Sequence, residues 1–176
     1  MRLMLLALLL TSLLVGCSEK TEKYPELSVS LPFDTFPRKY TCDGEDISPP
    51  IEISGVSGKA KSLAIIMDDP DAPLGVFTHW VIWNIPATTT SLPEAIPPVA
   101  EIAEPISAVQ GTNDFGKIGY GGPCPPSGVH RYRIKVYALD TFLDLKPGST
   151  KSELEEAMKG HIVQFGEVTA TYGREG

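Results

Sequence analysis

Residues 62–86 read SLAIIMDDPDAPLGVFTHWVIWNIP, and their pattern decides the fold class. Residues 62–67 form a continuous apolar run, as a strand buried on both faces requires. Residues 78–85 repeat the pattern with two Trp and three β-branched apolar residues, and stop at Pro86. Between the runs lies Asp68-Asp69-Pro70-Asp71-Ala72-Pro73. Three carboxylates leaving a hydrophobic strand must be solvated or paired. The prolines hold the residues before them extended, and either X-Pro bond is a candidate for the cis form. A solvated surface turn is the plain reading of this segment; a held carboxylate cluster is the functional one.

Outward from this segment the same periodicity recurs. Residues 27–31 alternate apolar and polar, Ile51–Ser54 alternates after Pro49-Pro50, and residues 162–172 form the last candidate strand. Residues 131–139 place Tyr132, Ile134, Val136 and Ala138 on one face and Arg131, Arg133 and Lys135 on the other. A single segment reads as helix: Thr150 and Glu153 fit a capping box, Leu154, Ala157 and Met158 form a stripe, and Gly160 can end it. Prolines and glycines dominate residues 86–130, which predicts long ordered loops there. Strands at short spacing with one late helix predict a mostly β, mostly antiparallel domain.

Composition narrows the function. Of 176 residues, 42% are hydrophobic and 21% charged, with 15 Lys and Arg against 22 Asp and Glu. That apolar share excludes a disordered chain. A net charge of −7 gives no basic footprint for nucleic acid. The length suits one domain with a real core.

The first residues belong to targeting. After Arg2, residues 3–15 carry Thr11 and Ser12 as their only polar members, too short a run for a membrane span of about 20 residues and fitting a signal-peptide core. Leu14-Val15-Gly16-Cys17 resembles a bacterial lipoprotein cleavage box, in which the cysteine is lipidated and becomes the mature N-terminus. An ordinary secretory signal is the alternative. The expected organisation is a lipoprotein signal over 1–16, lipidated Cys17 with a polar tether over 17–26, and a domain over 27–176. Acyl chains contribute about 0.8 kcal/mol per buried methylene, so two or three would hold the protein on the extracytoplasmic side of a bacterial membrane, in the cell envelope. Export removes Arg2 and leaves 14 basic against 22 acidic residues, a surface unsuited to anionic headgroups by bulk charge. It also makes a Cys42–Cys124 disulfide favourable. That bridge closes a loop of about eighty residues, worth roughly 4–5 kcal/mol in the chain-entropy model; two buried free thiols are the alternative.

Two places could carry chemistry beside the Asp68–Pro73 segment. Gly121-Gly122-Pro123-Cys124-Pro125-Pro126 is a stiff loop whose few amides, such as that of Gly122, are the available donors. It leads into His130 and Tyr132, two apart on a strand and so facing the same way. His79 sits at the start of another strand, before Trp80. Either histidine alone reads as structural; two of three histidines at strand entrances beside a Pro/Gly loop read as a site.

These residues resemble the phosphatidylethanolamine-binding protein family, in its bacterial and archaeal Raf-kinase-inhibitor-like branch. The resemblance rests on Asp69-Pro70-Asp71-Ala72-Pro73, His79-Trp80-Val81-Ile82-Trp83-Asn84-Ile85-Pro86, Gly122-Pro123-Cys124-Pro125-Pro126 and Gly128-Val129-His130-Arg131-Tyr132. The segments Thr41-Cys42-Asp43-Gly44-Glu45-Asp46, Asn113-Asp114-Phe115-Gly116 and Thr171-Tyr172-Gly173-Arg174 fit it too, so it spans about residues 27–174. It implies a large central sheet packed on a smaller one, and a shallow pocket for phosphate-like groups such as phosphorylethanolamine. Carried over by motif, the lining is Asp69, His79, Gly122, Pro123, His130 and Tyr132, supported by Asp71 and Trp80. The chain departs at Pro123-Cys124, where animal members carry Pro-Pro.

In that pocket the histidines, the Gly122 amide and the Tyr132 hydroxyl would donate to phosphate. Asp69 would orient or charge a histidine, or accept a ligand ammonium. A nearby carboxylate raises a histidine's pKa, so binding is expected to strengthen below neutral pH. The resemblance implies a binding protein without catalytic turnover, cofactor or metal, whose partners are a small anionic ligand and, through the lipid, a membrane. It leaves open a homodimer and an inhibitory or regulatory role toward an unidentified protein. The rival is a metal-dependent hydrolase using His79, His130 and Asp69. No HExxH pair, GxSxG elbow or phosphate-binding loop of the Walker type accompanies it.

Overall fold

The computed structural model describes residues 24–174; the signal segment and Cys17 lie outside them. The elements in chain order are β1 (Ser28–Ser30), a 3-10 turn (Arg38–Tyr40), β2 (Ile51–Ser54), β3 (Ser62–Asp69), β4 (Phe77–Pro86), β5 (Ser91–Leu92), β6 (Glu101–Ile102), β7 (Ala108–Gln110), β8 (Gly128–Leu139), α1 (Lys151–Met158) and β9 (Ile162–Arg174). Six strands build a central sheet in the order β6-β7-β4-β3-β8-β9, and β1-β2-β5 build a smaller one. Every neighbouring pair of named strands is antiparallel. The fold is mostly β with two antiparallel sheets and one late helix.

The two faces of the central sheet bury different partners. Leu63, Ile65 and Met67 of β3 pack with Ile82, Ile134 and Val136 against Ile51, Ile53 and Leu92 of the smaller sheet. Ala64 and Ile66 point the other way, with Val81 and Trp83, onto Leu154 and Met158 of α1. Both layers need β3 and β4 apolar on alternate residues, which is why neither strand shows a polar face. The helix is held at its start by reciprocal bonds: the Glu153 amide donates to Thr150 Oγ1 (3.4 Å) and the Thr150 amide to Glu153 Oε2 (2.7 Å). Gly160 then turns the chain with φ +77°.

Two features differ from the sequence reading. The stretch 86–130 is not loop throughout; it contributes β5, β6 and β7, which are two or three residues long and too short to show a period. Glu104–Pro105, not a bond of the Asp68–Pro73 segment, is the cis peptide among the described residues. At the chain's start, the Leu27 amide donates to the Phe165 carbonyl (3.1 Å), and the segment then runs alongside β9 until Phe36 bonds Thr171 (2.8 Å).

Candidate functional site

The end of β3, the start of β4 and the start of β8 meet at one end of the central strands, and a cavity of about 510 Å³ opens there. Asp69, His79 and His130 lie in its wall, together with Cys124, Pro125 and Pro126 of the stiff loop. Phe77 and Phe115 supply much of the apolar surface, and Leu74 and Val76 stand at the wall exposed to solvent.

His79 reaches this place through an irregularity. Met67 pairs with Trp80 and Asp68 with Thr78, so His79 is the extra residue of a bulge in β4. Strict alternation would put it beside Val81 and Trp83, over the helix layer. The bulge re-aims it toward the opposite core, where its ring meets Tyr132 edge-on at 5.1 Å. Its Nδ1 donates to the Gly121 carbonyl (2.7 Å), and the Gly121 amide returns a bond to the His79 carbonyl (2.9 Å). His130 is fixed in the same manner, with Nδ1 donating to Asp69 Oδ2 (2.7 Å). Each imidazole thus commits Nδ1 to a structural acceptor, which leaves Nε2 for an occupant. Both oxygens of Asp69 accept a bond, because its Oδ1 takes the Asp71 amide (2.8 Å).

Electrostatics correct one expectation. Burial pushes the His79 pKa down, and this outweighs the upward pull of the Gly121 carbonyl and of Asp69. His79 is 3% exposed, so desolvation of the imidazolium is the dominant cost. Burial thus favours the neutral ring.

The remaining sequence-derived residues stand around the cavity rather than in it. The Gly122 amide is not a free donor: it bonds Asp46 Oδ1 at 2.7 Å, and with Pro123 it forms the back of the loop. Trp80 is a core residue whose Nε1 donates to Gln110 Oε1 (2.7 Å). Asp71 takes Arg131 in a two-point pair, Nε at 2.9 Å and Nη2 at 2.7 Å, which holds its carboxyl well below the usual range. Tyr132 is fully buried beneath His79, and its hydroxyl has no hydrogen-bond partner among the described residues. Burial first, and then the Asp69 charge, raise its pKa.

The three residues of the rival metal reading do not form a ligand set: Asp69 accepts from His130 Nδ1, and among the described residues no group of three or more His, Cys, Asp or Glu is placed to hold a metal. Sequence reasoning missed Asp114 and the apolar wall. Asp114 Oδ2 accepts from the Thr78 amide (2.6 Å), which ties the Asn113–Phe115 corner to the His79 strand. Its signal lay in the Asn113-Asp114-Phe115-Gly116 segment.

The wall loop is anchored from outside. Cys42 and Cys124 are bridged. The Cys42 amide donates to the Pro123 carbonyl (3.2 Å), and Tyr120 donates its hydroxyl to the Tyr40 carbonyl (2.6 Å). Arg174, at the end of β9, donates to Asp43, to the Pro125 carbonyl (3.4 Å) and to Cys42 Sγ (3.0 Å). The guanidinium brings the Asp43 carboxyl down to about 2.

Comparison with known proteins agrees with this architecture. The chain is 54% identical over 166 residues to UPF0098 protein PH1269 of Pyrococcus horikoshii, covering 92% of this chain and 83% of that one. Among solved structures, CT736 of Chlamydia trachomatis superposes with a TM-score of 0.77 at 39% identity, over 85% of this chain and 99% of that one. YbcL of E. coli, described as a member of the mammalian PEBP family, gives 0.77 at 33% identity with the same coverage. The phosphatidylethanolamine-binding protein family model matches residues 28–173, and the chain belongs to that family.

Proposed function

We propose that this chain is a lipid-anchored, extracytoplasmic binding protein whose cavity takes a phosphate-like headgroup of the phosphorylethanolamine type, without turnover. One observation carries the reading: two buried imidazoles share a cavity wall, each with Nδ1 committed to a structural acceptor. Phosphate oxygens accept only, so both Nε2 atoms bind them as N–H donors. Charge-assisted bonds of this kind are about twice as strong as neutral ones. Burial favours the neutral form of His79, so that ring takes up a proton as an anionic ligand binds. An ammonium group on the same ligand suits Asp114, whose Oδ1 accepts no hydrogen bond among the described residues, while each oxygen of Asp69 already accepts one. Phe77 and Phe115 beside it suit a cation over an aromatic face.

Calorimetric titration with phosphorylethanolamine tests this. His79→Ala and His130→Ala are each expected to weaken binding at least tenfold; unchanged affinity in both variants puts the site elsewhere. Intact-mass spectrometry of the membrane-extracted protein tests the anchor: a mass beginning at Cys17 with added acyl groups supports it, and an unmodified Cys17 refutes it.

A further inference from the structure

We propose that the Cys42–Cys124 bridge is a thiol-exchange site in the cavity wall, attacked at Cys124, and that the pocket binds only while the bridge is closed. Three observations place this chemistry. Cys124 is part of the cavity wall, whereas Cys42 lies behind it. Arg174 Nη2 donates to Cys42 Sγ at 3.0 Å, so a cation already sits where a thiolate would be released. Asp43 holds that guanidinium in place through Nε at 2.7 Å, with the Tyr172 hydroxyl on the same carboxylate oxygen.

The reagent class is a small thiol or dithiol able to enter the cavity. Its thiolate attacks Cys124 Sγ. A bond forms between the two sulfurs as the Cys42–Cys124 bond breaks, and the electron pair leaves on Cys42 as a thiolate facing Arg174. A lower leaving-group pKa speeds exchange, and a neighbouring guanidinium lowers it. With a dithiol, the second thiolate displaces Cys124 and closes the reagent's own disulfide. Two electrons pass to the protein, and the two sulfurs released on it take up the protons that the dithiol loses.

Opening the bridge reaches the binding residues through one loop. Gly121 orients His79, and Cys124 to Pro126 line the wall, all within six residues. Once the bridge is cut, the ties left on that loop are hydrogen bonds. A chain still in a reducing compartment would carry an unformed pocket and gain it on oxidation after export.

Brief treatment with a monothiol, acid quenching and peptide mass mapping locate the attack. The mixed disulfide is expected on Cys124. Arg174→Gln is expected to slow its formation at least tenfold, with Arg174→Lys between the two. An adduct on Cys42, or an unchanged rate in Arg174→Gln, overturns the proposal. Hydrogen exchange then compares the protein before and after dithiothreitol. The amides of Gly121, Gly122 and Cys124, the three that this proline-rich stretch carries, are expected to lose protection while β3 and β4 keep theirs. Equal protection, or unfolding of the whole domain, overturns the lock. Phosphorylethanolamine affinity is expected to fall at least tenfold on reduction and return on reoxidation; equal affinity in both forms also overturns it. This last measurement rests on the headgroup reading: if the oxidised protein binds nothing, that reading fails while adduct position and exchange still decide the lock.

Discussion

Tyr132→Phe separates what the pocket needs from what the fold needs. The residue is fully buried, and its hydroxyl has no protein partner among the described residues. An unpaired buried hydroxyl costs about 1–3 kcal/mol, whereas a typical satisfied one contributes about 0.5–1.5 kcal/mol. Removing the oxygen and keeping the ring preserves the edge contacts with His79 at 5.1 Å and Phe36 at 5.7 Å. Folding stability is therefore expected to stay level or rise by up to about 1 kcal/mol. With a urea slope of about 2 kcal/mol/M this moves the midpoint upward by at most about 0.5 M. Binding is expected to stay within about twofold, because the hydroxyl is buried outside the cavity lining and out of a ligand's reach. Urea unfolding and calorimetry on the same preparation read both quantities. A variant destabilised by more than 1 kcal/mol shows a satisfied hydroxyl and refutes the reasoning about folding; an affinity loss of tenfold puts the hydroxyl in the site and refutes its placement behind the wall.

Asp68 is the counterpart of Asp69 on the opposite face, fully buried among Arg133 (2.8 Å), Lys135 (2.7 Å) and Lys151 (3.3 Å). Asp68→Asn is expected to cost about 3–5 kcal/mol by leaving those cations uncompensated, with ligand affinity unchanged in titrations of the folded variant. Burial raises its carboxyl, but Lys135 and Arg133 win and the net pKa is lowered. Its contribution is thus complete above about pH 4 and lost as acid passes the depressed value, which unfolding curves of wild type and variant will trace. At Gly122 an added Cβ would fall 2.8 Å from Thr41 Cα and 2.7 Å from Asp46 Oδ1, and closer still to the Tyr40 carbonyl. Gly122→Ala is therefore expected to destabilise by about 1–3 kcal/mol in urea and to weaken binding. For His79 the lowered pKa makes the neutral ring a stabilising form, present above about pH 6.5 and lost as pH falls toward the depressed value. An anionic ligand reverses that preference. Calorimetry at pH 7.5 in two amine buffers of different ionisation enthalpy should show net proton uptake on binding, falling away in acid; no uptake at any pH contradicts the donor assignment.

The sheet was legible because its signals are long. The apolar run in β3 and the alternation in β8 extend over more residues than any competing pattern, and the Thr150–Glu153 box is a local chemical signal. What escaped was short or relational. Strands of two or three residues exist because β7 pairs with β4 through Ile82 and Trp83, which no local periodicity encodes. The site's histidines and Asp69 were visible as residue types beside proline-rich turns. The bulge that aims His79 was not, because alternation assigns it to the other face. The Gly122 amide looked free in sequence since its partner, Asp46, lies seventy-six residues away. The pKa direction at His79 also turned on burial, a quantity that a nearby carboxylate in the sequence does not reveal.

The chain joins its domain at Leu27 beside Phe165, and the cavity lies at the other end of β9, where Tyr172 pairs with His130. Seven residues of strand separate the two, about 23 Å at 3.3 Å per residue. Were the proposed lipid present on Cys17, the tether would enter at the stern of the domain, and its ten residues, reaching about 33 Å when extended, would decide how freely the opening swings toward or away from a bilayer.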